Sequence, residues 1–186
     1  SAEQLQQRIK SREAVIGVVG LGYVGLPLSI GFVRAGFPVL GFDTDSQRVE
    51  QINRGEQVMR HISRKAMQEL ARYCEATVDF ARLGEADAVL ICVPTPLDKH
   101  HQPDMSYVET AADAITATLR EGQLIALEST TWPGTTRELL LPRLEASGLR
   151  AGKDYFLAYS PEREDPGNEN YGMGDIPKVV SGYTDA

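Results

Sequence analysis

The stretch AVIGVVGLGYVG, residues 14–25, decides how the rest of the chain is read. It sets five apolar residues around one glycine and then places Gly20, Gly22 and Gly25 in the spacing G-x-G-x-x-G. The apolar run predicts a buried strand over 14–19. The following segment, YVGLPLSIGFVRA at 23–35, predicts a helix closed by Gly36. Pro27 falls in its first turn, where N–H groups lack intrahelical partners in any case. In a doubly wound fold such glycines have separate tasks. One permits the tight turn, one lets a pyrophosphate reach the main chain, and one lets helix and strand pack closely. The helix N-terminus near Gly22 would offer free N–H groups and a positive dipole end to phosphates.

A glycine spacing alone is weak evidence, and an acid roughly 20 residues further on, at the end of the second strand, is the independent test. The second strand reads as PVLGF, 38–42, and Asp43 follows it. A carboxylate there accepts hydrogen bonds from the adenosine ribose hydroxyls and repels a 2′-phosphate. Thr44 and Asp45 stand where a 2′-phosphate binder would want arginine. The pattern therefore points to NAD as cofactor in preference to NADP.

Apolar runs and helical patterns alternate through the remaining chain. Asp45 or Ser46 can cap a helix that stops at Gly55, and Ser63 can cap another over 63–73. Strands are expected near 76–78, at 87–93 (DAVLICV), at 123–128 (QLIALE), at 154–160 (DYFLAYS) and at 178–182 (KVVSG). Helices are expected over 105–120 and 136–147, the latter with Thr135 or Thr136 as cap. Near-continuous apolar strands between helices predict an α/β fold, a doubly wound, Rossmann-type and mostly parallel sheet with helices on both faces. Residues 1–13 read as an N-terminal extension, excluded from the fold, and 14–186 as one domain.

Composition narrows the class. With 186 residues, 42% hydrophobic and 24% charged, the chain has the make-up of a globular domain with a real core. The net charge of −7 and the lack of a Lys/Arg stripe argue against nucleic acid as a partner. No apolar run reaches bilayer length, so no membrane partner and a cytoplasmic location are expected. Two cysteines make no disulfide framework. Cys74 reads as the end of a helix in polar surroundings and Cys92 as a buried thiol. His100 and His101 lie in a polar loop without zinc-site spacing, and no metal is expected. His61 reads as structural, and Trp132 as equally suited to stacking on the cofactor or packing a turn.

Three stretches begin where strands should end: CVPTPLD (92–98), ESTTWPGTT (128–136) and YSPEREDPGN (159–168). Strand C-termini are where such sheets bind ligands. Together with GLGYVGLPL and GFDTD, these stretches resemble, in order and spacing from residue 14 onward, the NAD-binding domain of the UDP-glucose/GDP-mannose dehydrogenases. The ESTT-PGTT and SPEREDPG variants look most like the branch that oxidises UDP-N-acetylglucosamine.

The resemblance implies roles by position. Gly20, Gly22, Tyr23, Val24 and Gly25 would line the pyrophosphate turn. Asp43 would hold the adenosine ribose with Arg48 nearby, and Pro94 and Thr95 would border the cofactor. Thr130 would lie near the nicotinamide and, with Glu162, would position water and assist proton transfer at the sugar C6 carbon. Arg163 would contact the substrate, a UDP-sugar. The family's second glutamate falls on Pro166 and is not assigned. The implied reaction is a two-step oxidation of the C6 alcohol to the acid with two NAD, through a thioester on a cysteine of a G-G-x-C-x-P-x-D motif. That motif does not occur in these 186 residues. The reading is a domain of a longer, homo-oligomeric enzyme, with the central helix and substrate domain outside this chain. The isolated chain is expected to be monomeric and inactive alone. A non-catalytic NAD-sensing domain and a 3-hydroxyacid-type dehydrogenase are the alternatives. The first has no reason to carry Thr130 and Glu162, and the second lacks the SPERE segment.

Overall fold

The computed structural model describes residues 1–97, 99, 101–161 and 178–185. Seven strands form one sheet: β1 (Ile16–Val19), β2 (Val39–Phe42), β3 (Cys74–Thr77), β4 (Ala88–Ile91), β5 (Leu124–Leu127), β6 (Phe156–Tyr159) and β7 (Ser181–Gly182). Their order is β3-β2-β1-β4-β5-β6-β7. The first six run parallel, and β7 pairs antiparallel with β6.

The register is flush. Thr77, Phe42, Val19, Ile91, Leu127 and Tyr159 form one row across the sheet, so all six parallel strands release the chain at the same rim. Connections from β1 and β4 leave in opposite directions along the sheet, which opens a crevice between these neighbours.

β1, β2 and β4 are buried along their whole length, as strands covered on both faces must be. Successive side chains alternate between two cores. Ile16, Val39 and Leu90 meet α2 (Gly25–Arg34), α3 (Ser46–Asn53) and α4 (Arg64–Tyr73) through Leu26, Ile30, Val49, Ile52, Met67 and Leu70. Val19, Phe42, Val89 and Ile91 face α5 (Ser106–Thr118) and α6 (Leu141–Glu145) through Val108, Ala112, Ile115 and Leu144. Asp45 and Ser63 cap α3 and α4, accepting from the N–H groups of Arg48 and Ala66. Gly36 and Gly55 take positive φ where α2 and α3 end, a conformation that favours glycine.

The structure departs from the sequence expectations in four places. Residues 2–11 form a helix, α1, with a reciprocal cap between Ser1 and Gln4. It buries Leu5 and sends Arg8 to the carboxylate of Asp87 at 2.9 Å. Cys74 is not in polar surroundings: it opens β3, is buried, and burial pushes its thiol up to about 12. The helix over 136–147 is not continuous. Its first turn, Thr136–Leu140, is wider than α-helical, with the Leu141 N–H bonded to the carbonyl of Thr136. Pro142 has no N–H to give and its ring crowds the carbonyl four residues back, which favours that widened turn. Thr135 precedes the turn but makes no cap bond; its hydroxyl donates to the Trp132 carbonyl oxygen at 2.8 Å. The strand expected over 178–182 contracts to Ser181–Gly182.

Asp87 anchors the opposite rim. Its carboxylate accepts from the Val15 N–H at 2.9 Å and pairs with both Arg8 and Arg120. One buried acid thereby joins α1, the entry to β1 and the approach to β5.

Candidate functional site

The turn from β1 to α2 is built on glycines with unlike surroundings. Gly20 has φ +91°, and a Cβ there would meet the Cys92 carbonyl oxygen at 2.9 Å. A Cβ on Gly25 would lie 1.8 Å from the Gly20 carbonyl oxygen. Both positions close the turn against neighbouring backbone. Gly22 is different: the nearest heavy atom to its Cβ position is Arg48 Nη1 at 3.9 Å, so bare main chain faces open space. α2 then begins with Val24 as N-cap, which makes no side-chain cap bond, and its first turn carries no acid. Such an end keeps unsatisfied N–H donors and a partial positive charge.

Asp43 follows the last residue of β2. Its Oδ2 accepts from the Leu21 N–H at 2.9 Å and its Oδ1 from the Asp45 N–H at 3.0 Å. Two main-chain donors thus orient the carboxylate, and each oxygen keeps a further lone pair for a ligand hydroxyl. The Arg48 guanidinium stands beside it, with Nη1 donating to the Leu21 carbonyl oxygen at 3.5 Å.

These residues share one cleft of about 910 Å³ at the crevice between β1 and β4. Gly20, Gly22, Tyr23, Val24, Asp43 and Arg48 line one side, and Pro94, Thr95 and Thr130 reach it from the ends of β4 and β5. The two latter loops are tied together. Thr95 Oγ1 donates to the Thr130 carbonyl oxygen at 2.8 Å, and Ser129 Oγ to the Val93 carbonyl oxygen at 2.7 Å. Behind them Glu128 is buried and its carboxylate pairs with Lys178, which fastens the segment before β7 to the end of β5. Gly25 lies in the packing of the turn and not on the cleft wall. Glu162 and Arg163 lie outside the described residues.

Several cleft residues were not anticipated. Phe80 comes from a short 3₁₀ segment, Phe80–Glu85, and Thr110, Ala111 and Ala114 from α5. The small residues of α5 were the available signal, since a helix that follows a strand at the crevice must leave room for whatever binds there. Trp132 is absent from the cleft wall. It lines a separate groove with Asp113 and Arg143. His61 stacks on Tyr23, with ring centroids 5.4 Å apart and planes 15° apart.

The donor set fits a dinucleotide. An uncapped helix end beside open main chain suits a diphosphate, an oriented carboxylate suits a vicinal diol, and Phe80, Val93, Ala111 and Ala114 give an apolar wall for a ring.

Comparison with known proteins agrees. Residues 14–186 match the model of the UDP-glucose/GDP-mannose dehydrogenase family, NAD binding domain. The chain is 37% identical over 174 residues to a UDP-N-acetyl-D-glucosamine 6-dehydrogenase of Pseudomonas aeruginosa, covering 93% of this chain and 41% of that protein. It is 38% identical to a UDP-N-acetyl-D-mannosamine dehydrogenase of Escherichia coli strain K12, covering 92% of this chain and 42% of that one. It resembles the crystal structure of an NDP-N-acetyl-D-galactosaminuronic acid dehydrogenase from Methanosarcina mazei with a TM-score of 0.80 at 31% identity, over 97% of this chain and 42% of that one. The chain spans about two fifths of the length of the curated relatives it matches. Fold, cleft and sequence converge: the chain belongs to the UDP-glucose/GDP-mannose dehydrogenase family, of which it is an NAD binding domain.

Proposed function

We propose that the chain is the cofactor domain of an enzyme that oxidises the C6 alcohol of a UDP-N-acetylhexosamine to the uronic acid with two NAD. The observation that carries this reading is that the glycine turn, Asp43 and Thr130 open into a single cleft at the rim where the parallel strands end. The sugar class rests on relatives named for UDP-N-acetylglucosamine and UDP-N-acetylmannosamine.

In this reading the α2 N-terminus and the main chain at Gly22 receive the diphosphate. Asp43 holds the adenosine ribose, with Arg48 bracing the turn. Bound NAD supplies the hydride acceptor. Pro94, Thr95 and Thr130 border its nicotinamide end, and the hydrogen bond from Thr95 to the Thr130 carbonyl ties the two loops together there. Thr130 and Glu162 orient water and move a proton near the sugar C6 carbon, and Arg163 contacts the substrate. The thiol required for the second oxidation is not one of this chain's own. Cys74 is buried with its thiol raised to about 12, and Cys92 is buried at the end of β4. A thiol buried in apolar surroundings is a poor nucleophile. We therefore propose that these residues bind NAD without turning over sugar.

Calorimetric titration with NAD, NADP, UDP-N-acetylglucosamine and UDP-N-acetylmannosamine, together with an assay for NADH formation, tests the proposal. NAD binding in the micromolar to millimolar range, weaker NADP binding and no turnover are expected. Tighter NADP binding overturns the role of Asp43, and turnover by the 186-residue chain overturns the division of labour.

A further inference from the structure

We infer that His61 is a positioning residue for the cofactor: its ring holds the side chain of Tyr23 as a wall over the phosphate turn. Tyr23 lies between Gly22 and Val24, lines the cleft, and is 66% exposed. An aromatic side chain this exposed, at the tip of a turn, has little to hold it in one rotamer except a neighbour.

That neighbour comes from a different crossover. His61 precedes α4, and its ring lies 5.4 Å from that of Tyr23 at 15°, within the range of offset stacking. The loop that carries it is itself fixed. Gln57 Nε2 donates to the carbonyl oxygens of Arg60 at 3.3 Å and Ile62 at 2.8 Å. Ile62 is buried in the core beside α4, and Ser63 caps that helix. His61 is thus flanked on its C-terminal side by an anchored residue and braced by Gln57, while its own ring stays at the surface. Such a construction presents a ring; it does not bury one. With Tyr23 already ordered, less side-chain freedom is lost when a ligand settles against it.

The inference rests on the NAD reading above, and the test separates the two. Wild-type protein, His61→Ala, His61→Phe, Tyr23→Ala and the double variant Tyr23→Ala/His61→Ala are titrated with NAD, ADP-ribose and AMP. AMP lacks the second phosphate and the atoms beyond it. His61→Ala is expected to weaken NAD and ADP-ribose about 3- to 10-fold, the size of one stacking contact, and to leave AMP unchanged. His61→Phe restores the affinity, and His61→Ala has no effect in the Tyr23→Ala background. An equal loss for AMP, unchanged NAD binding in His61→Ala, or a loss that persists without Tyr23 overturns the proposal. A wild-type chain that binds none of the three ligands overturns the NAD reading itself, and this one with it.

Discussion

Gly20, Gly22 and Gly25 share one turn, yet only one of them has room for a methyl group. A Cβ at Gly25 would collide with backbone at 1.8 Å, whereas at Gly22 it would stand 3.9 Å from its nearest neighbour. Gly25→Ala is therefore expected to destabilise the fold by about 3 kcal/mol or more, as overpacking against main chain does. Gly22→Ala should melt close to wild type and lose about 10-fold in NAD affinity, because the methyl occupies the approach of the diphosphate. Chemical denaturation and titration of the two variants check this; equal stability in both would contradict it. Asp43 makes the second residue-scale case. Asn keeps an acceptor for the Leu21 N–H but discards the charge. Asp43→Asn should weaken NAD by about 10-fold, the order of a hydrogen bond to a charged group, and shrink the preference over NADP, as parallel titrations with the two cofactors would reveal. These residues were legible in the sequence because a turn fingerprint is local: its glycines and the acid after β2 declare themselves by spacing. Phe80, Thr110, Ala111 and Ala114 did not, because only tertiary packing brings them to the same cleft.

At the scale of elements, most strands and helices were readable from apolar runs and caps, with ends shifted by a few residues. What stayed hidden was decided by partners distant in sequence. The widened turn at Thr136–Leu140 answers to Pro142, and the antiparallel direction of β7 answers to β6. The polar look of "RYCEA" concealed that Cys74 enters the core with β3. That burial has a measurable result. The thiol rises from 9.0 to about 12, so the folded state keeps a proton that the unfolded chain has released. Its contribution to stability is intact below pH 9 and is lost as pH climbs toward 12, at about 1.4 kcal/mol per pH unit at most. Urea midpoints at mildly and strongly alkaline pH should fall further for wild type than for Cys74→Ala. Parallel slopes for the two proteins would mean that the thiol ionises freely in the folded state.

Across the whole molecule, the two rims of the sheet carry different residues. Asp87 at one rim accepts from Val15 and joins Arg8 and Arg120, while the cleft opens at the other. Removing the carboxylate leaves the Val15 N–H without its acceptor, at a cost of about 1–3 kcal/mol. Removing Arg8, whose side chain is 48% exposed, leaves Arg120 in place and should cost about 1 kcal/mol or less. Asp87→Ala should thus unfold well before Arg8→Ala, and both should bind NAD within about twofold of wild type, as independent sites do. A large affinity change in Asp87→Ala, measured where it is still folded, would show that the rims are coupled. The flush ending of six parallel strands explains why they need not be. Each strand hands its chain over at a common height, so loops can be exchanged there like fittings on a level deck while the joists below are untouched. A lineage of such proteins can alter what that rim presents by rewriting those loops, with no alteration to the beams that carry them.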